Sequence, residues 1–327
     1  MDFLTQLFLG QPVWMWTGFV TLVLALLALD LGVLNKGAHE IGVRQSLLTS
    51  AFYIAVGVAF GGFVWWQMGS QAAAEYLTGF VVEKSLAMDN VFVIAMIFGY
   101  FAIPRAYQHR VLFWGILGVI VLRAIMIGLG AALVQQYAWV LYVFAAFLIL
   151  TGIKMLRSGD GHGDLADNRW LAWLTRRARV TSTLHGERFF VRQADRFGRM
   201  RLFMTPLFLS LIVIEIADLV FAVDSVPAIF AITTDPFLVY TSNIFAILGL
   251  RALYFALAAV LHRFAYLKPA LAILLIFIGG KVFAADLLGL GKIPPAFSLG
   301  VTALILGGGI ALSLIRTRDR GDAAPRA

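Results

Sequence analysis

The sequence contains no cysteine, which excludes disulfides, zinc knuckles and thiolate metal ligands. Charge is scarce as well: Asp, Glu, Lys and Arg make up 13% of the chain and 61% is hydrophobic, whereas soluble domains run to about 25% charged and 45–50% apolar. No Walker A sequence, no Gly-x-Ser-x-Gly and no His-Glu-x-x-His occurs, and the longest polar segment is too short for a nucleotide-binding domain. The expectation is therefore not an enzyme, and not an ATP-driven pump. Lys and Arg are missing ahead of the first apolar run, which reads as a membrane helix rather than a cleaved signal.

What is present is a series of runs of about 20 apolar residues, the length that spans a bilayer. Nine are predicted, near 13–34, 46–66, 77–101, 110–133, 138–156, 204–231, 239–261, 268–288 and 296–315. The expected fold is an all-α polytopic membrane protein forming a single transmembrane domain over 1–327. Basic residues alternate between the two sides of this series. Lys36 and Arg44 follow the first run, Arg105 and Arg110 the third, ten arginines from Arg157 to Arg201 the fifth, Arg263 and Lys268 the seventh, and Arg316, Arg318, Arg320 and Arg326 the last. The other side has Lys292 with Asp2, Glu75 and Asp235. The positive-inside bias then places the N-terminus outside and the C-terminus in the cytoplasm. It makes 157–203 a basic cytoplasmic loop and 316–327 a cytoplasmic tail. The net charge of +8 follows from topology rather than nucleic-acid binding. The loop has short helical possibilities around 166–178 and 186–198; it reads first as a solvated loop that fixes topology, with contact between its arginines and anionic lipid headgroups as the alternative. Trp14 and Trp16, Trp65 and Trp66, and Tyr137 and Trp139 are expected to form an interfacial belt.

An acidic motif occurs twice at lipid depth. Glu83-Lys-Ser-Leu-Ala-Met-Asp89-Asn90-Val and Asp218-Leu-Val-Phe-Ala-Val-Asp224-Ser225-Val align without a gap. Each is followed, in the same order, by Arg-Ala (Arg123, Arg251) and by a Gly-Lys element (Gly152 with Lys154, Gly280 with Lys281). Helices 3–5 (77–156) and 6–8 (204–288) thus read as two copies of a three-helix unit. An offset of three helices makes the copies antiparallel, an inverted repeat that places substrate near the midplane.

A carboxylate at the bilayer centre costs roughly 2.5–3.5 kcal/mol on insertion scales, so such residues are rarely idle. Positions seven apart share a helix face, which aligns Glu83 with Asn90 and Asp218 with Ser225. Glu215 extends the second stripe. Glu83, Asp89, Asn90, Glu215, Asp218, Asp224 and Ser225 form an oxygen-only ligand set suited to Mg²⁺, Ca²⁺ or Mn²⁺. The five histidines lie in or beside cytoplasmic connections. Arg123, Arg251, Lys84 and Lys281 have two readings, neutralising partners of the acids or binders of an anionic substrate. Pro227 is either a simple kink or the source of a freed carbonyl. Asp30 is either an interfacial residue or a ligand at the inner mouth. Glu75, Asp235 and Asp286 are expected to be solvated at external ends.

The two acidic segments, with Pro227-Ala-Ile after the second and Leu29-Asp30-Leu-Gly-Val in the first helix, resemble the signature segments of the TerC/Alx family of bacterial inner-membrane proteins. The likeness runs over nearly the whole chain. It implies export of manganese from the cytoplasm, in a cation-exporter fold of duplicated three-helix units. On that basis Asp89 and Asp224 are expected as main ligands, with Glu83, Glu215 and Asp218 completing or relaying and Asn90 and Ser225 tuning. Mn²⁺ is substrate rather than cofactor, protons return in exchange, and the expected partners are the divalent ion and membrane lipid. A Ca²⁺/H⁺ exchanger, an oxyanion exporter and a non-transporting scaffold for metal delivery or tellurium resistance are the alternatives.

Overall fold

The computed structural model describes residues 2–30, 43–137, 139–157, 180–181, 183–194, 199–257, 266–287 and 294–321. After a turn of helix at Asp2–Thr5 and a two-residue hairpin, the helices are α1 (Val13–Leu29), α2 (Val43–Met68), α3 (Ser70–Tyr100), α4 (Arg105–Gln136), α5 (Val140–Arg157), α6 (Pro206–Phe230), α7 (Pro236–Ile247), α8 (Leu250–Leu257), α9 (Leu267–Leu287) and α10 (Pro295–Gly321). Each predicted apolar run is mostly helical over its described residues. Among the described residues, α2, α4, α5, α6, the α7–α8 stretch and α10 contain segments long and apolar enough to cross a membrane. α3 is equally long but carries Glu75, Glu83, Lys84 and Asp89. The fold is an all-α polytopic membrane protein.

Two expectations are corrected. The seventh predicted run is not one helix but two, interrupted at Leu248–Gly249. Gly249 has φ +81°, a region L side chains avoid, and a Cβ there would lie 2.7 Å from Tyr53 Cβ. The expected helix near 186–198 is a β-hairpin instead, with Phe190–Ala194 pairing antiparallel to Met200–Met204. The other helix expected in that loop, near 166–178, lies outside the described residues. The hairpin is fastened beside α6, where Thr205 donates its hydroxyl to the carbonyl of Arg188 at 2.7 Å.

The α7–α8 stretch is the centre of the molecule. Within its apolar window 88% of residues are buried by protein, against 22–41% in the other candidate spans. α3 packs on α7, α2, α6 and α10, α4 on α6, and α5 on α9. The α5–α9 contact is reciprocal and antiparallel. A Cβ on Gly152 would meet the carbonyl of Ala272 and Ile276, and a Cβ on Gly279 would meet the carbonyl of Ala145 and Ile149. The three residue pairs (152 with 279, 145 with 272, 149 with 276) have the same spacing in sequence. Small residues are what let helices approach closely where lipid removes the hydrophobic drive.

Part of the expected aromatic belt points inward. Trp16 stacks edge-on against Phe237, with centroids 5.1 Å apart, and its indole donates to the carbonyl of Phe8. Trp65, Trp66, Tyr137 and Trp139 are exposed on the outer surface.

Candidate functional site

Where α3, α4, α6 and α7 meet, the two acidic segments face each other across an arginine. The seven-residue spacing puts Glu83 and Asn90 on one stripe of α3 and Asp218 and Ser225 on one stripe of α6. Between them Arg123 enters from α4. Its Nη1 donates to Glu83 Oε1 at 2.5 Å, Ser225 Oγ at 2.8 Å and Asn243 Oδ1 at 3.0 Å, and its Nε to Asp218 Oδ2 at 3.5 Å. Asn90 Nδ2 donates to Asp218 Oδ1 at 3.3 Å. Arg123 and Glu83 are each 1% exposed, so water is excluded from the pair.

The cluster is not saturated. Glu83 Oε2 and the Asn243 amide nitrogen are buried without a hydrogen-bond partner among the described residues. Among the described residues, two carboxylates, Glu83 and Asp218, face the one guanidinium. Beside them lies a cavity of about 30 Å³ lined by Asn90, Asp218, Gly115, Ile116, Ile214 and Leu250, among others, room for one or two waters or a small ion. One helical turn before Asp218, both carboxylate oxygens of Glu215 are buried without a described partner. They sit in a notch on α4, where a Cβ at Gly118 would be 2.5 Å from Oε1.

The structure thus brings together Glu83, Asn90, Asp218 and Ser225, with Glu215 one turn away. In this conformation the centre of the acids is taken by the Arg123 guanidinium. Asp89 and Asp224 lie on α3 and α6 immediately before Asn90 and Ser225; their side chains, and those of Arg251 and Asp286, fall outside the described residues. Among the described residues, no group of three His, Cys, Asp or Glu is disposed to hold a metal.

Asp30 belongs to another place. It is 5% exposed and lines a small polar cavity with Gln45, Ser46, Thr49, Tyr53 and Gly249, between α1, α2 and α8. Asp235 is a helix cap, accepting from the amides of Phe237 and Leu238 and from Gln11 Nε2 at 2.9 Å. Pro227 stands one turn before the end of α6.

Asn243 was not among the expected site residues. Its signal was available, a carboxamide within a predicted membrane run, since strongly polar residues at lipid depth face the protein interior and mark function. Lys84, expected either to neutralise an acid or to bind an anion, instead donates its Nζ to the carbonyls of Ala246 at 3.0 Å and Leu248 at 3.2 Å.

The family model for the integral membrane protein TerC family matches residues 68–321. An uncharacterized membrane protein of Rickettsia bellii is 47% identical over 92% of this chain and 97% of its own length. A membrane protein of Myxococcus xanthus, also uncharacterized, is 43% identical over 94% of both chains. A protein of Escherichia coli K12 named "Putative membrane-bound redox modulator Alx" is 46% identical over 91% of this chain and 92% of its own. No solved structure matches.

Proposed function

Because this chain belongs to the TerC family of integral membrane proteins, we propose that it is a secondary transporter exporting divalent manganese from the cytoplasm across a bacterial inner membrane. The observation that carries the reading is the Arg123-centred acid cluster, buried where two matched segments meet. Charge buried this deeply is expensive, and hydrophobic replacements would serve stability as well or better. Its presence points to a ligand that needs it.

In this reading Arg123 is a tethered counter-cation. It keeps Glu83 and Asp218 compensated when no ion is bound. An arriving dication competes with the guanidinium for the same oxygens, drawing on the unused Glu83 Oε2 and on Asp89, Asp224 and Glu215. Carboxylate and carboxamide oxygen suits Mn²⁺, Mg²⁺ and Ca²⁺ alike, so selection among them is a matter of cavity size and hydration. The two halves, 77–156 and 204–288, would rock about this centre to open it to either side, and the carboxylates would carry protons back. A non-enzymatic role follows, with the ion as substrate and lipid as surroundings.

Arg123 also bears on the oxyanion alternative. Its described donors are already engaged by four protein acceptors, which leaves them unavailable to an anion. A redox role, suggested by the name of the Escherichia coli relative, would have to proceed without thiols, since this chain has no cysteine. The test is Mn²⁺ accumulation in everted membrane vesicles. Loss of accumulation in Asp89→Asn, Asp218→Asn and Asp224→Asn supports the proposal, and unchanged accumulation contradicts it. Competition by Ca²⁺ and Mg²⁺ in the same assay separates the exchanger alternative.

A further inference from the structure

The interruption between α7 and α8 leaves the carbonyls of Ala246 and Leu248 without a backbone amide among the described residues, in the most deeply buried of the candidate spans. Helix C-termini carry orphan acceptors and partial negative charge. Ala246 and Leu248 are 0% and 2% exposed, so water does not satisfy them. Lys84 does, with hydrogen bonds of 3.0 and 3.2 Å to the two oxygens. Broken membrane helices commonly use such an end, with its free carbonyls, to coordinate a monovalent coupling ion. Here the cation comes from the chain itself.

We propose that the broken end of α7 is a monovalent-cation site of the Na⁺ class whose resident occupant is the Lys84 ammonium. Two links join it to the acid cluster. Lys84 follows Glu83 on α3, and Glu83 receives Arg123. One turn before the break, α7 presents Asn243 to the same guanidinium. The ring Glu83, Arg123, Asn243, α7 end, Lys84 closes on itself, so the ammonium fixes the helix end that positions Asn243. With the site filled by a covalently attached charge, a dissolved ion has no place to act. The consequence for transport rests on the exporter reading: Mn²⁺ export by the wild-type protein proceeds equally in Na⁺ and in choline.

The site itself is tested without transport, by thermal unfolding of the purified full-length protein in NaCl and in choline chloride at equal ionic strength. The wild-type midpoint is expected to be the same in both. Lys84→Met keeps the aliphatic stem and vacates the carbonyls. It is expected to unfold earlier in choline and to recover by roughly 2 °C when Na⁺ exceeds its dissociation constant tenfold. Lys84→Arg retains a cation and is expected to match the wild type in both salts. A Met variant indifferent to Na⁺, or a wild-type protein that gains the same shift, overturns the proposal. Should the Met variant accumulate in neither salt, Lys84→Arg decides. If it is equally unstable, the position serves packing and the proposal fails; if it is stable and indifferent to Na⁺, the charge is what matters. Absent Mn²⁺ movement by the wild type would sink the exporter reading and leave the unfolding result intact.

Discussion

Two cations lie near the centre of this protein, Arg123 buried and Lys84 half-buried, and they are satisfied by different groups. Arg123 is held by carboxylates from α3 and α6, so removing it strands two buried negative charges. Lys84 is held by backbone carbonyls, so removing it strands dipoles at a helix end. A third cation, Arg110, pairs with Glu187 at 3.1 Å with both side chains about a third exposed. The contrast separates charge kept for the sake of other charges, charge kept for the backbone, and charge that water could equally serve.

The largest break is expected at Arg123. Arg123→Met should destabilise by about 3–5 kcal/mol, the range for orphaning one side of a buried pair, measured by denaturant unfolding in detergent. Combining it with Glu83→Gln removes both partners and should restore part of the loss. A coupling energy of about 1 kcal/mol or more in that double-mutant cycle is predicted, and additivity would break the comparison. Next comes Lys84→Met, expected to cost about 1–3 kcal/mol for unsatisfied buried acceptors, with no coupling to exposed charges. The smallest effect belongs to Arg110→Ala, within about 1 kcal/mol for a solvent-screened ion pair; it also loses a contact with the Phe189 ring 5.3 Å away. If Arg110 ranked with Arg123, burial would not be what distinguishes them.

Much of this was legible in the residues. Hydropathy marked the apolar helices of the described residues, because a membrane-spanning helix must satisfy its backbone internally over a fixed length. The seven-residue spacing placed Glu83 with Asn90 and Asp218 with Ser225 on facing stripes. The break at Leu248–Gly249 was not legible, since an apolar Leu-Gly step leaves the hydropathy of its run unchanged and only the positive φ reveals it. The hairpin at 190–204 hid for a related reason: arginines and aromatics are spaced there in a way that suits a helix or a strand, and cross-strand pairing decided. Asp235-Pro236 is a readable start signal, an acidic cap before proline at the first helical position, and the acid is a cap rather than a merely solvated group. Asn243 carries no charge, yet a carboxamide at lipid depth makes the same demand for a partner.

The account depends on the acids around Arg123 being there for a passing dication, and the most direct measurement is Mn²⁺ accumulation in everted vesicles containing the wild-type protein, Glu83→Gln or Asp218→Asn, with Arg110→Ala as control. Accumulation by the wild type and the control, falling at least about tenfold in both acid variants, a difference of about 1.4 kcal/mol, is the predicted result. Accumulation by the acid variants equal to that of the wild type would contradict it.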